Sequence, residues 1–229
     1  MVTAVDAWIT DKTNALITYG EINTWDTSKI TSLNNLFASD RSGNTAHNNF
    51  NDDISNWNTS NVTSMNSTFL RCYLFNQDLS TKKVTVNGVS YVAWDTSKVT
   101  SFFETFRVTY RFNQDITNWN TSNATSFERM FRGGATSNHD FNQDISTKSV
   151  TVDGATYTAW DTSNITTMKS MFEETSEPDY SHSFKQNIRN WNTTNVTDYT
   201  NMFRYSSMHL DYSNVSGFGD TPTAAFFNQ

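Results

Sequence analysis

Six copies of one short string limit what this chain can fold into more than any other feature. Each copy reads Trp, Asp or Asn, Thr, Ser or Thr, Lys or Asn, a small apolar residue and Thr, and a phenylalanine follows each tryptophan at a distance of twelve residues. The tryptophans are Trp25, Trp57, Trp94, Trp119, Trp160 and Trp191, and the phenylalanines are Phe37, Phe69, Phe106, Phe131, Phe172 and Phe203. Fixed strings joined by segments of variable length indicate stacked repeats whose insertions project outward.

A second string lies upstream of five of the tryptophans. It reads Phe, Asn, Gln, Asp, Ile or Leu, Ser or Thr in its best copies, and it begins at Phe50, Phe75, Phe112, Phe141 and, in degraded form, Phe184. This short string with a central Ile predicts a strand. Apolar positions five, eight, eleven and twelve residues after each Trp predict a short helical turn. Together they predict a repeat solenoid, leucine-rich-repeat-like, with short parallel strands and short helical turns.

Two of the repeats contain a longer insertion, at residues 82–92 and 148–158. The insertions centre on Asn87-Gly88 and Asp153-Gly154, each flanked by alternating apolar residues. Such a pair suits a type I′ turn, in which both central residues need a positive φ angle. We therefore predict two β-hairpins that project from the same side, with their tips forming a paired ridge.

The two ends of the sequence differ from the repeats. The pattern of Val5, Trp8, Ile9 and Leu16, followed by Gly20, predicts one capping helix over residues 3–19. Residues 20–203 hold about six repeats, and residues 204–229 are interpreted as a partial terminal repeat, because Phe226 begins what looks like another strand string. The whole chain, 1–229, is predicted to be a single domain.

These strings resemble the BspA-like family of bacterial surface proteins, an atypical branch of the leucine-rich repeats. The resemblance covers about residues 20–203 and rests on the Phe-Asn-Gln-Asp-Ile-Ser string, the Trp string and the Met and Phe positions after it. It implies a right-handed leucine-rich-repeat-like fold, a secreted or cell-surface location and a role in adhesion. It implies no catalytic residues.

Composition excludes several classes of function. The formal net charge is -7 and the longest basic run is Lys82-Lys83, so a nucleic-acid partner is not expected. The single cysteine, Cys72, can form neither an internal disulfide nor a cysteine metal site. No apolar run is long enough to span a bilayer, and no signal peptide opens the sequence. The extracellular or cell-surface location therefore rests on the resemblance alone.

Metal binding has two candidate patterns. Stacked strands would bring Asp53, Asp78, Asp115 and Asp144 about 4.8 Å apart, where a cation such as calcium would relieve their repulsion. The favoured interpretation is that each carboxylate accepts hydrogen bonds from backbone N–H groups in the adjacent turn. The histidines, His47, His139, His182 and His209, lack metal-ligand spacing and are predicted to be exposed loop residues. No cofactor is predicted.

The function predicted from the sequence is non-enzymatic binding or adhesion to a protein or carbohydrate ligand on a cell surface. Residues that recur in each repeat build the core and the turns. Ligand contacts are therefore expected in the segments that vary between repeats, which are loops 38–49, 132–140 and 173–183 and the two hairpins. Their candidate binding residues are Tyr91, Tyr157, Tyr180, His139 and His182.

Two alternatives remain open from the sequence. Threonines two and six residues after each Trp form two ranks, as on an ice-binding surface, although the favoured interpretation is that their hydroxyls cap turns internally. The first rank is Thr27, Thr59, Thr96, Thr121, Thr162 and Thr193, and the second is Thr31, Thr63, Thr100, Thr125, Thr166 and Thr197. The chain could also be a purely structural array that self-associates end to end.

Overall fold

Irregular backbone forms most of this molecule. The computed structural model describes residues 1–39, 45–134, 137–175 and 182–227. Within them the α-helices are α1 (Val2–Thr10), α2 (Lys12–Tyr19) and α3 (Met208–Tyr212), and 3₁₀ turns lie at Ile22–Thr24, Thr45–Asn49 and Ala224–Phe227. The strands are β1 (Lys82–Val86), β2 (Val89–Ala93), β3 (Lys148–Val152) and β4 (Ala155–Ala159).

The predicted leucine-rich-repeat-like solenoid of parallel strands is wrong. In the described part of the chain, the only sheets are two antiparallel pairs, β1 with β2 and β3 with β4. Parallel pairing is reduced to single bridges between repeats, such as Ser64 with Ser101 and Ser126 with Thr167. One-residue bridges do not make strands. Two local features of the repeat explain why the predicted strands and helical turns do not form.

The first feature is an asparagine ladder in the string predicted to be a strand. The backbone N–H of Asn76 donates to Asn51 Oδ1, that of Asn113 to Asn76 Oδ1, and that of Asn142 to Asn113 Oδ1; the last link runs from the Lys185 N–H to Asn142 Oδ1. Side-chain amides here accept the bonds that backbone carbonyls accept in a sheet. The segment therefore lacks a β ladder.

The second feature replaces the predicted helical turn. The tenth residue after each Trp has a φ angle between 54° and 56°, although none is glycine: Asn35, Ser67, Glu104, Arg129, Ser170 and Asn201. Around it, alternate N–H groups donate to the next repeat, as from Ser67 to Phe103 and from Phe69 to Thr105. Intervening N–H groups close tight turns, as from Leu70 back to Ser67. A left-handed residue in mid-segment is incompatible with a right-handed helix.

Aromatic rings from successive repeats stack in the core. Along the Phe column, ring centroids are 5.3 Å apart from Phe37 to Phe69, 5.4 Å from Phe69 to Phe106 and 5.5 Å from Phe106 to Phe131. The repeat tryptophans are buried except the first, Trp25, which is partly exposed. Indole N–H groups cross between repeats, as from Trp94 to the Ile54 carbonyl at 2.9 Å.

The N-terminal cap is two helices, not the single helix predicted over 3–19. Asp11 interrupts it with φ -146° and ψ 80°, and its carboxylate accepts from the Asn14 N–H to cap α2. Val5 and Trp8 are buried as their spacing predicts, whereas Leu16 is 40% exposed.

The terminal segment is not the start of another strand. Phe226 and Phe227 are buried in a 3₁₀ turn, with Phe226 packed edge-on against Phe203 and Tyr212. In the described part of the chain, no helix is long and apolar enough to cross a membrane.

Candidate functional site

The two hairpins have the predicted positions and turn type. Asn87 and Gly88 have φ angles of 51° and 81°, and Asp153 and Gly154 have 48° and 83°. Such angles at both central residues define the type I′ turn, whose twist matches that of the flanking strands. The registers are equivalent, with Tyr91 opposite Val84 and Tyr157 opposite Val150.

Each hairpin ends on a strained tryptophan. Trp94 and Trp160, which follow β2 and β4, have φ angles of 47° and 48°. A bulky residue in this region is an outlier that costs on the order of 1–3 kcal/mol and persists only where its surroundings impose it. Thr81 and Thr147 support the two bases, since their hydroxyls donate to the Trp94 and Trp160 carbonyls at 2.8 Å.

Each hairpin is held against an earlier repeat by its tyrosine. The Tyr91 hydroxyl donates to the Asn56 carbonyl and the Tyr157 hydroxyl to the Asn118 carbonyl, both at 2.5 Å. Burial raises the pKa of both phenols, and the negative charge of Asp26 adds to the effect at Tyr91. The two side chains are partly buried, so their hydroxyls are already engaged within the protein.

The hairpins lie next to each other, but not tip to tip. Lys83 Nζ on β1 contacts Asp153 Oδ1 in the second turn at 2.8 Å. The hairpins therefore share a side as predicted, while the predicted paired ridge of tips is wrong. The tip of the second hairpin contacts the base of the first hairpin.

The tip of the first hairpin overhangs the first repeat and leaves a cleft of about 260 Å³. Its apolar wall comes from Trp25, Tyr91, Val86 and Val89, and Val89 is 64% exposed. Polar groups around this wall come from Thr24, Asp26, Thr27, Ser28, Asn58 and Asn87. We call this feature the hairpin cleft.

Two polar side chains at the hairpin cleft have fixed orientations. Asp26 Oδ1 accepts from the backbone N–H and the hydroxyl of Ser28, and these bonds lower the pKa of the Asp26 carboxyl. Asn58 Oδ1 accepts the equivalent pair from Ser60. The carboxylate and the carboxamide are therefore pre-oriented at the edge of an aromatic wall, an arrangement suited to small polar ligands.

The prediction that His139 and His182 are exposed loop residues is wrong. Both are fully buried and stack at 4.7 Å between ring centroids. His139 Nε2 contacts the Phe106 carbonyl and His182 Nε2 the Phe131 carbonyl, while their Nδ1 atoms accept from backbone N–H groups. Burial lowers the pKa of His139 to about 4 and that of His182 well below its usual value. Neither ring is available to a ligand.

The other two histidines differ in burial. His47 is buried, with its Nδ1 against the Phe37 carbonyl, whereas His209 is partly exposed. Tyr180 lies outside the described residues. Of the predicted binding residues, only Tyr91 is a lining residue of the hairpin cleft.

The aspartates of the second string make backbone hydrogen bonds. Asp53, Asp78, Asp115 and Asp144 each accept, through Oδ1, from the N–H two residues further on. This is the interpretation favoured over calcium from the sequence. Within the described residues, no group of three or more His, Cys, Asp or Glu side chains could hold a metal ion.

The two threonine ranks differ sharply in environment. In the first rank, hydroxyls such as those of Thr59 and Thr121 are buried and donate to a carbonyl of the next repeat. In the second rank every side chain is exposed, and the hydroxyls of Thr63, Thr100, Thr125, Thr166 and Thr197 donate to the preceding threonine carbonyl.

Sequence reasoning did not identify the hairpin cleft, because it treated the six tryptophans as equivalent. The available signal was that Trp25 has no Phe-Asn-Gln-Asp string before it. Its ring consequently packs against Trp8 and Tyr19 of the capping helices, and its indole N–H donates to the Gly20 carbonyl.

Comparison with known proteins gives one family. A family model described as "Mycoplasma protein of unknown function, DUF285" matches residues 8–92 and 153–218, more than half of the chain. No curated protein and no solved structure matches this chain. The resemblance to BspA-like and leucine-rich-repeat proteins is therefore wrong: the matching family is a different one, and the described strands are antiparallel hairpins.

Proposed function

We propose, from the premise that this chain belongs to the DUF285 family of Mycoplasma proteins of unknown function, that it is a non-enzymatic binding protein holding a glycan ligand in the hairpin cleft. The observation that carries the proposal is the partly exposed indole of Trp25 beside pre-oriented Asp26 and Asn58 under an overhanging hairpin. A ligand on cells or matrix implies a protein at the cell surface or outside the cell, and this location is part of the proposal.

The chemistry of the hairpin cleft favours a sugar ring. Its flat aromatic wall suits the apolar C–H face of a pyranose. The carboxylate of Asp26 and the carboxamides of Asn58 and Asn87 can form hydrogen bonds with the hydroxyl groups of the sugar. The volume of about 260 Å³ suits one or two rings and is below the range of most drug-sized sites. Among the described residues that line the cleft there is no lysine or arginine, so an acidic sugar is disfavoured.

The strain at the hairpin bases supports a functional role for the insertions. The second and fourth repeats reach their tryptophans without an insertion and without a positive φ at Trp57 or Trp119. Hairpins that impose an outlier on Trp94 and Trp160 are costly additions to a repeat that closes without them. Such strain is typical of sites retained for function.

The buried reactive groups also support a non-enzymatic role. Burial raises the pKa of the Cys72 thiol far above its usual value, and its Sγ donates to the Phe37 carbonyl. The rings of His139 and His182 use both nitrogens within the core. None of these groups lines the hairpin cleft.

A glycan array probed with the labelled protein tests the proposal, followed by titration of the strongest ligand against variants. Trp25→Ala and Tyr91→Ala are expected to weaken binding by about tenfold or more, because each removes part of the aromatic wall. Tyr157→Ala is the matched control, since it removes the same hydrogen bond in the second hairpin but lines no part of the cleft. Wild-type affinity in a folded Trp25→Ala protein would overturn the proposal.

A second candidate function, ice binding, is favoured by one observation. The second threonine rank is exposed and in register along six repeats, while the first rank is buried and cannot contribute. Thermal hysteresis measured on the wild type and on a Thr100→Lys, Thr125→Lys variant would test it. Zero hysteresis in the wild type excludes this function and leaves the glycan proposal unaffected.

A further inference from the structure

The hairpin cleft has a counterpart at the tip of the second hairpin. Each site brings an aspartate near the hairpin tyrosine, Asp26 near Tyr91 at the first tip and Asp95 near Tyr157 at the second. Each aspartate directly follows a repeat tryptophan, and its Oδ1 accepts from the backbone N–H two residues further on. The two tips can therefore be compared position by position.

The second tip receives a cation from the protein itself. Lys83 Nζ contacts Asp153 Oδ1 in the second turn at 2.8 Å. This lysine comes from the base of the first hairpin, and the described part of the chain has no earlier hairpin that could supply a lysine to the first tip. Asn87 is the turn residue equivalent to Asp153, and the described residues lining the cleft around it include no lysine or arginine. The first tip therefore resembles the second without its ammonium group.

The charge of the hairpin cleft is negative. Asp26 is the only charged residue among the described lining residues, and its Oδ1 takes both bonds from Ser28 while its Oδ2 takes none from the described parts of the chain. The Ser28 bonds lower the pKa of the Asp26 carboxyl, and the charge of Lys29 adds a smaller effect. An ionised carboxylate with a free oxygen beside the partly exposed Trp25 can bind a cation, because aromatic π-electrons also attract positive charge.

We propose that the hairpin cleft selects an amino sugar, whose protonated amine lies at Asp26 and Asn87 as the ammonium of Lys83 lies at the second tip. This inference rests on the proposed function and specifies which class of glycan the cleft takes. The sugar ring contacts the aromatic wall, and its ammonium group supplies the positive charge that the first tip lacks.

The expected preference for an amine is modest. Asp26 is exposed, so water screens its attraction for a cation. An exposed ion pair and an exposed contact between a cation and an aromatic ring together correspond to an affinity ratio of about five to ten for the amine over its acetylated form.

The test compares two probes with the same sugar backbone, a chitosan oligosaccharide with free amines and the fully acetylated chitin oligosaccharide of equal length. Calorimetric titration of the full chain measures both affinities at about pH 5.5, where amines are protonated and the Asp26 carboxyl is ionised. The variant Asp26→Asn removes the charge and keeps an oxygen for the Ser28 bonds. Asp95→Asn is the matched control, because it makes the same change at the second tip and lines no part of the cleft.

The wild type and Asp95→Asn should bind the chitosan oligosaccharide about five to ten times more tightly than the chitin oligosaccharide, whereas in Asp26→Asn the ratio should fall to about one. A further variant, Asn87→Asp, gives the first turn the carboxylate that the second turn has. It should raise the ratio by about threefold.

Equal affinities of the wild type for the two oligosaccharides, or binding of neither, would overturn this inference. The proposed function is judged separately, because the glycan array also contains neutral sugars and reads out Trp25→Ala. A preference that persists in Asp26→Asn, or that Asp95→Asn reduces to the same extent, would place the amine outside the cleft and would also overturn it. Spermidine bound as tightly as the chitosan oligosaccharide would overturn the assignment to a sugar.

Discussion

The first and second hairpins are nearly the same structure placed on different neighbours. Each has a type I′ turn, a base threonine, a tyrosine bonded to an earlier repeat and a strained tryptophan. The tip of the first overhangs the partly exposed Trp25, whereas the tip of the second meets Lys83. The cleft therefore depends on where a hairpin is inserted, and not on the hairpin sequence alone.

The largest expected effect separates Trp94, at the base of the first hairpin, from Trp25, under its tip. Trp94→Ala should destabilise the protein by about 3–5 kcal/mol, because the indole is fully buried and its cavity cannot collapse. Trp25→Ala should cost clearly less, since part of that ring is already in water. Urea unfolding followed by circular dichroism measures both, and equal losses would contradict the asymmetry.

A second prediction concerns the pH dependence of stability, which we expect to come from the half of the molecule that carries the second hairpin. His139, His182 and Glu174 are buried there, and burial raises the pKa of Glu174 to about 8. The histidines contribute stability above their unfolded pKa near 6.5, and this contribution is lost as the pH falls towards 4. Glu174 acts oppositely: its contribution is complete below about 4.5 and is lost as the pH rises through 8.

Stability measured by urea unfolding should therefore be greatest near pH 6.5 and fall on both sides. Glu174→Gln should remove the fall between pH 6.5 and 8.5. The control, Glu21→Gln, changes an exposed glutamate near the first repeat and should leave the profile unchanged. A decline above pH 6.5 that persists in Glu174→Gln would assign it to another group.

A third prediction treats the two hairpins as equals. Tyr91→Phe and Tyr157→Phe each remove one hydroxyl bond to a carbonyl and should each cost about 0.5–1.5 kcal/mol. Hydrogen exchange of the strand amides reports each hairpin separately. Protection lost in both hairpins after either single change would show that they act as one unit.

The smallest expected effect concerns the contact between the hairpins. Lys83 and Asp153 are 56% and 37% exposed, so Lys83→Ala should cost less than about 1 kcal/mol. Its ligand affinity in the hairpin cleft should stay within twofold of wild type, because the cleft lies at the opposite end of the first hairpin. Asp153→Asn provides an independent break of the same pair.

The local turn chemistry and the buried aromatics were predictable from sequence. Asn87-Gly88 and Asp153-Gly154 have few other stable conformations, and a Trp or Phe recurring at a fixed spacing has to be buried somewhere. These predictions depend on single residues or on spacing. They do not depend on how the intervening backbone is bonded.

The architecture and most of the site could not be predicted, for reasons that particular residues make clear. Asn76 and Asn113 replace backbone acceptors by side-chain oxygens, and Ser67 and Glu104 adopt positive φ without being glycine. Strand and helix patterns carry no information about either. The loop position of His139 predicts an exposed side chain, but a loop folded over the Phe column can bury a neutral ring whose nitrogens both find backbone partners.

The asparagine ladder has a consequence for how such arrays change by gene duplication. An interior repeat that carries the ladder asparagine brings both halves of the link, a backbone N–H to donate and an amide oxygen to accept, so an extra copy can be inserted between two others without a gap. Lys185 receives the last bond from Asn142, but its ammonium group has no acceptor to offer. A duplication that includes Lys185 would place an interruption inside the ladder, so the repeats of one molecule are not equally suited to multiplication.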